Sequence, residues 1–354
     1  MKDLVILMAT SDDLHWSWQT EVQINNFRKF GYSHKLQVLL YLPGDRLHLG
    51  WNPVWEKLEK MYPEVKFFRY EDKGIFNLVS GIYQSLCRPH ILSQHFEKFP
   101  ELSEKAIFYI DPDIVFTKYL DFSPFLNDDI CYLSDTNSYV NATYFDSKFD
   151  DVKPELKEQY IQEDILGSAC KMVGITREIA EKNNQHSGGA QYLFKNIDKS
   201  FWDKVFEDCA RVKLYLADSN QRYMQGNPGQ EREDRGIQSW CSDMFVTLWN
   251  LWYRGLETKV IPELNFAWAT DHISKLDRVS IFHNAGAGPT PMRVDHTDHQ
   301  LFYKGHTPYV NNQWTPFEDR EESYLLATSP DYCSYKYVEE ILYTKKHRKL
   351  LLTP

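Results

Sequence analysis

The sequence predicts an α/β fold of two lobes on a largely parallel sheet, and three observations carry that prediction. Residues 4–9 form a short unbroken apolar run that ends in Thr10-Ser11-Asp12-Asp13. Such a run reads as a buried parallel strand whose C-terminal loop opens toward a ligand, with Thr10 at the mouth. Residues 16–30 then place Trp18, Val22, Ile24 and Phe27 at mixed helical spacing before Gly31, and 36–42 reads as a second strand, which completes a βαβ unit. The third observation is the apolar run 106–110, the fourth and most buried strand of the series after one at 65–69.

The remaining elements follow in order. A helix is expected over 82–96, interrupted near Pro89, and short strands at 114–116 and 130–133. Residues 135–157, dense in Asn, Asp, Ser and Tyr, are long enough to predict a mobile loop, and 219–235 is a second polar stretch. A helix over 236–253, a strand over 259–261 and an apolar run at 279–282 precede a tail without clear alternation. The predicted organisation is a catalytic body at 1–287, made of halves 1–133 and 134–287. An extension at 288–354 wraps the core and ends in a helix over 335–352.

With 354 residues the chain exceeds what one hydrophobic core usually serves. A formal charge of −10 argues against a whole-surface nucleic-acid binder. Aromatic residues make up 15 %, an excess that fills cores or supplies stacking platforms for sugars and bases. The six cysteines are widely spaced without a C-x-x-C pair, which suits reduced thiols and a cytosolic setting, and no stretch predicts a transmembrane helix. P-loop, G-x-G-x-x-G and G-x-S-x-G patterns are all absent.

Chemistry concentrates at Asp111-Pro112-Asp113, directly after AIFYI and before IVF. Two carboxylates at the mouth of a buried strand repel and would take up protons unless a cation sits between them. Hard oxygen ligands favour Mg²⁺ or Mn²⁺, which can neutralise a leaving diphosphate. Pro112 stiffens the bend. His283, in SIFHNAGAG, ends another apolar run and can complete the coordination, although a core histidine satisfied by a carbonyl gives the same pattern. His186-Ser187-Gly188-Gly189-Ala190-Gln191 reads as a polar turn into the strand YLF, where the glycines admit a sugar ring and His186 or Gln191 bonds it; a plain tight turn fits equally. Asp243, in the helix segment WCSDM, is an acid among apolar residues that must face water or a polar pocket.

Four segments also resemble a family. WSWQTEVQINNFRKFGYSHKLQVLL, RPHILSQHF, IFYIDPDIVF and WCSDM are similar, in that order over about residues 4–255, to motifs of the peptidyl serine α-galactosyltransferases and hydroxyproline O-arabinosyltransferases. The resemblance implies a GT-A fold with a seven-stranded mixed sheet. It implies that Asp111 and Asp113 bind the metal and the ribose-diphosphate, and that Trp18, Gln19 and Arg88 lie near the nucleotide or sugar. It further implies a retaining transfer in which the departing diphosphate takes the acceptor's proton while Asp243 steadies the sugar.

The function expected from these residues is a metal-dependent glycosyltransferase that moves a pentose or hexose from a UDP-sugar to a hydroxyl on a glycan or protein. Two alternatives stand beside it. One is transfer to hydroxymethylated pyrimidines of viral DNA, for which Lys336, Lys345, Lys346, Arg348 and Lys349 against Glu339 and Glu340 supply a basic end. The other is a non-catalytic module that binds nucleotide sugars.

Overall fold

The computed structural model describes residues 2–150, 152–224, 236–288, 292–294, 297–305 and 327–352. In chain order the strands are β1 (Leu4–Ser11), β2 (Leu36–Leu42), β3 (Lys66–Glu71), β4 (Ala106–Ile110), β5 (Ile114–Phe116), β6 (Cys131–Asp135), β7 (Gly188–Phe194), β8 (Thr258–Val260), β9 (Phe266–Trp268) and β10 (Ile281–His283). A hairpin of β11 (Met292–Val294) and β12 (Thr297–His299) follows. Seven strands form one sheet in the order β3-β2-β1-β4-β7-β6-β8. It is mixed: β1, β2 and β3 run parallel, whereas β6 is antiparallel to β7 and parallel to β8. The run β3-β2-β1-β4 is the strand order of half of a doubly wound nucleotide-binding sheet. A second sheet has the order β5-β10-β9.

The chain divides into two compact units that interleave in sequence, so the division differs from the expected consecutive halves and separate tail. One comprises residues 1–3, 72–108 and 125–261; the other comprises 4–71, 109–124 and 262–354.

In the unit that holds β1, helix α1 (Leu14–Lys29) follows the strand as expected. Asp13 starts it by accepting the His15 N–H at 2.8 Å. Every residue from Ser17 to Phe27 is buried, although only four of the eleven (Trp18, Val22, Ile24, Phe27) are apolar. The polar ones are therefore tied down individually. Asn26 donates to the Phe116 carbonyl at 2.9 Å and accepts the Phe116 N–H at 2.7 Å, closing a two-bond clamp on β5. Glu21 accepts from Tyr62 at 2.9 Å and pairs with Arg348 at 3.3 Å, both charges being almost wholly buried. Helix α2 is Pro53–Met61.

Arg348 belongs to the last helix of the chain, Ser334–Leu352, which is no loose extension. Its Tyr337, Val338 and Ile341, with Cys333 just before it, complete one hydrophobic cluster with Trp18, Val22, Val115, Phe282 and Phe302. The basic end expected for DNA is also largely spent. Arg348 and Lys345 are buried, Lys336 pairs with Glu339 and Glu340, and Lys29 rather than a ligand meets Glu340 at 2.6 Å.

In the other unit, α3 (Phe76–Gly81) comes first, and the helix expected over 82–96 is a 3-10 turn at Gln84–Leu86 followed by α4 (Cys87–Lys98). Pro89 does not break α4, because it occupies the third position, where its missing N–H has no intrahelical partner to lose. The polar stretch expected to be a mobile loop is helical: α5 (Asn137–Val140), α6 (Ala142–Ser147) and α7 (Pro154–Glu163). Its polar residues are helix starts, since Asn141 accepts the Tyr144 N–H at 2.7 Å and Pro154 opens α7. Then come α8 (Ile165–Val173), α9 (Arg177–Lys182), α10 (Lys199–Met224) and α11 (Ser242–Tyr253), which makes the C-terminal helix α12. The second polar stretch ends α10 as far as Met224; residues 225–235 lie outside the described residues.

Glu163, at the end of α7, is locked to α10 by Arg222, by Tyr223 and by the Tyr215 hydroxyl at 2.9 Å. The Arg222 guanidinium leads in holding its carboxyl down at about 2, against burial. A depressed carboxylate stabilises the fold above its ordinary range and stops doing so as pH falls through the folded value. Glu163→Gln is expected to cost about 1–3 kcal/mol at pH 7. In urea titrations its difference from wild type should shrink as pH is lowered from 4.5 to about 2. A difference that persists unchanged at the acid end would contradict this.

Candidate metal centre and sugar site

The Asp111–Asp113 bend connects β4 to β5, and β10 returns antiparallel beside β5 with His283 opposite Ile114. That register delivers His283 to the bend. Its Nε2 lies 3.2 Å from Asp113 Oδ1 and 3.7 Å from Asp111 Oδ2. One ligand atom from each of the three lies within 4.8 Å of the others. Asp113 and His283 are buried and Asp111 half-buried. The bend is fixed from beneath by Gln23 of α1, whose amide donates to the Asp111 carbonyl at 2.8 Å and the Ile114 carbonyl at 3.1 Å. The His283 ring is fixed by stacking on Trp268, centroids 5.2 Å apart.

Burial alone would push the Asp113 carboxyl up. Lys304, which also hydrogen-bonds it, and His283 overturn that and hold it far below the usual carboxylate range. Asp113 is thus an anion already organised around positive charge.

A divalent cation fits this donor set. Two carboxylates and an imidazole are hard-to-intermediate ligands of the kind Mg²⁺ and Mn²⁺ accept. Among the described residues, His283 Nδ1 and both amide atoms of Asn284 are buried without a hydrogen-bond partner, so polar groups beside the cluster are left for a ligand to satisfy.

The other expected residues fall in several places. Thr10 is buried in β1 opposite Leu40. Gln19 is buried with its amide nitrogen on the His15 ring at 3.0 Å and the His15 carbonyl at 2.9 Å. Trp18, expected near the nucleotide or sugar, is a fully buried core residue set edge-on to Phe302 and Tyr337 at 6.0 Å. The α1 face that carries it is sealed by α12, a contact no local pattern announced.

In the unit containing α4 and α11, Arg88 and Asp243 do meet, Nη1 to Oδ2 at 3.6 Å. Asp243 sits in the first turn of α11, where the helix dipole favours an acid. The Tyr83 hydroxyl donates to it at 2.6 Å, and burial followed by Asp243 itself keeps that phenol protonated, well above its ordinary value. Gln191 is buried in β7, and among the described residues neither amide atom has a hydrogen-bond partner. His186 is exposed; its backbone N–H donates to the Asn183 carbonyl at 2.8 Å and its carbonyl accepts the Thr258 hydroxyl at 3.1 Å.

The expected turn at 186–191 is already strand from Gly188. The β6–β7 register shifts between Leu133 and Asp135, and Ala190 takes φ +66 to absorb it. Gly189 allows close packing there, since a Cβ would lie 2.4 Å from the Tyr192 hydroxyl.

Sequence reasoning missed Asp12, Gln23, Asn284 and Lys304. Asp12 is buried at the end of β1 and held by the Asn52 N–H at 3.0 Å with Arg46 nearby at 4.0 Å. Burial raises its pKa. The TSDD terminus of the first strand was the available signal for it; Lys304 had none, as it lies in the tail without a pattern.

Gln23→Leu strips one buried and one half-buried carbonyl of their donor and is expected to destabilise the protein by about 1–3 kcal/mol. Urea unfolding checks the cost. Mn²⁺ titration of the same variant should show weaker binding, because the Asp111 bend is no longer held; unchanged stability and unchanged binding would refute the clamp.

No family model matches the sequence, and no curated protein matches it. Among solved structures, the chain is similar to an apo WbbM bifunctional glycosyltransferase, with TM-score 0.42 and 9 % identity, covering 96 % of this chain. It spans 52 %, about half, of that protein. It is also similar to the galactosyltransferase LgtC in complex with donor and acceptor sugar analogues, with TM-score 0.34, 11 % identity and coverage of 79 % and 87 % of the two chains. For an active-site mutant of LgtC the values are 0.32, 10 %, 80 % and 87 %. All three TM-scores lie below 0.5, so these likenesses carry no functional weight.

Proposed function

We propose that this protein is a GT-A glycosyltransferase that uses Mn²⁺ or Mg²⁺ to transfer a sugar from a UDP-sugar to an acceptor hydroxyl on a glycan or protein. The observation that carries the proposal is the convergence of Asp111, Asp113 and His283 on one point beside the ends of β4 and β10. A cation bound there would supply Lewis acidity that neutralises charge on a departing diphosphate. The protein's own part is positioning. Gln23 holds the bend, Trp268 orients His283, and Lys304 adds a second positive charge at Asp113.

Asp243 and Arg88 form a half-exposed ion pair with Tyr83, suited to bonding sugar hydroxyls and to stabilising positive charge developing at an anomeric carbon. This supports a retaining transfer in which Asp243 acts electrostatically. Gln191 and His186 are the further candidates to contact sugar, and Thr10 and Gln19 to contact nucleotide. The consumption of basic side chains in α12 argues against the viral-DNA acceptor. Intact carboxylates at both sites argue against a non-catalytic module. All six cysteines are free and buried, which supports a reducing compartment; among the described residues no helix is long and apolar enough to cross a membrane.

Asp113→Asn is expected to keep the fold and lower sugar transfer by about 10²-fold or more. Calorimetric titration should show Mn²⁺-dependent UDP binding lost in the same variant. Full activity in Asp113→Asn would end the metal reading.

A panel of nucleotide sugars with Mn²⁺ in thermal-shift assays is expected to raise the melting temperature for a UDP-sugar. The stabilisation should approach about 2.7 kcal/mol at a hundredfold excess over Kd. If no nucleotide sugar shifts the transition, the donor assignment fails.

A further inference from the structure

Asn284 immediately follows His283, and its backbone N–H donates to the Asp113 carbonyl at 3.0 Å, extending the β10–β5 ladder by one step. The residue is 2 % exposed, and neither its amide oxygen nor its amide nitrogen has a hydrogen-bond partner among the described residues. Burying an amide in that condition is unfavourable, and a leucine of similar volume would avoid the penalty. The neighbourhood is polar. Asp113 and His283 flank Asn284, and Lys304 reaches the same carboxylate.

We propose that Asn284 is a fourth, neutral contributor to the cation site, its amide oxygen facing the ion or a water bound to it. Three features support this. An amide oxygen is a hard donor that suits Mg²⁺ and Mn²⁺ without adding charge to a cluster that already holds two carboxylates. The hydrogen bond from the Asn284 backbone to Asp113 fixes its Cα against the bend, so the side chain is carried by the same rigid ladder as His283. The amide nitrogen remains free to donate to an anionic oxygen brought by the ion, which is what a diphosphate offers. The inference rests on the metal reading of Asp111, Asp113 and His283.

The test uses the full chain and Mn²⁺ alone, followed by electron paramagnetic resonance and calorimetry, with UDP added afterwards. Asn284→Leu is expected to weaken Mn²⁺ binding tenfold to a hundredfold. The same variant should raise the melting temperature of the metal-free protein, because two buried unpaired atoms are gone. Asn284→Asp keeps an oxygen and is expected to bind Mn²⁺ as tightly as wild type or more tightly, while binding UDP less well in the presence of the ion.

Mn²⁺ binding in Asn284→Leu within twofold of wild type overturns the proposal. Should that variant fail to fold, a tenfold loss of Mn²⁺ binding in Asn284→Asp overturns it and retention upholds it. Wild-type protein that binds Mn²⁺ but not UDP would defeat the glycosyltransferase reading while leaving the Asn284 comparison decisive. Wild-type protein that binds no Mn²⁺ removes the metal reading and this inference together.

Discussion

The site depends on the amide of Gln23. Two carboxylates on a three-residue bend between strands cannot aim at one point unless the backbone of that bend is fixed. Gln23 fixes it by bonding the carbonyls on either side of Pro112 and Asp113. One turn along α1, Asn26 secures β5 by both groups of Phe116. A helix normally shows polar residues to water; here α1 turns them inward and uses them as backbone partners for the Asp111–Asp113 bend and the strand that follows it.

That use of α1 has a cost, which α12 meets. A helix buried on all sides needs cover on the face away from the sheet, and the Tyr337, Val338 and Ile341 face of α12 supplies it. Burying Glu21 requires an opposite charge, which Arg348 brings from the same helix. Removing one partner of such a pair leaves an uncompensated buried charge, typically far more damaging than the pair is stabilising. The C-terminal helix is therefore part of the support of the site.

The legible parts of the fold were those with local signals. Runs 4–9, 36–42 and 106–110 became β1, β2 and β4 with nearly the expected ends, because a fully buried strand has an unbroken apolar sequence whatever surrounds it. Asp111, Asp113 and His283 were legible for a related reason: each follows such a run, where the chain leaves the sheet. Residues 135–157 misled because Asn and Pro serve helix starts as readily as loops, and only the hydrogen bond from Tyr144 to Asn141 tells which. Trp18 misled because its exposure is set by α12, some 320 residues further on. The partnership of Arg88 with Asp243 and the arrival of Lys304 at Asp113 depend on long-range packing, which periodicity does not encode.

Lys304 also explains how a nearly inaccessible carboxylate can remain an anion. Desolvation favours the neutral acid, and a second carboxylate two residues away adds repulsion. An ammonium on one oxygen of Asp113 and an imidazole 3.2 Å from the other reverse the balance. The negative charge needed to attract a cation is thus kept in place by the fold itself. Asp111 is half-buried and borders solvent, 3.7 Å from His283 Nε2. The pair is consequently unequal: Asp113 is the anchored member, and Asp111 is the one whose position depends on the hold that Gln23 keeps on its backbone.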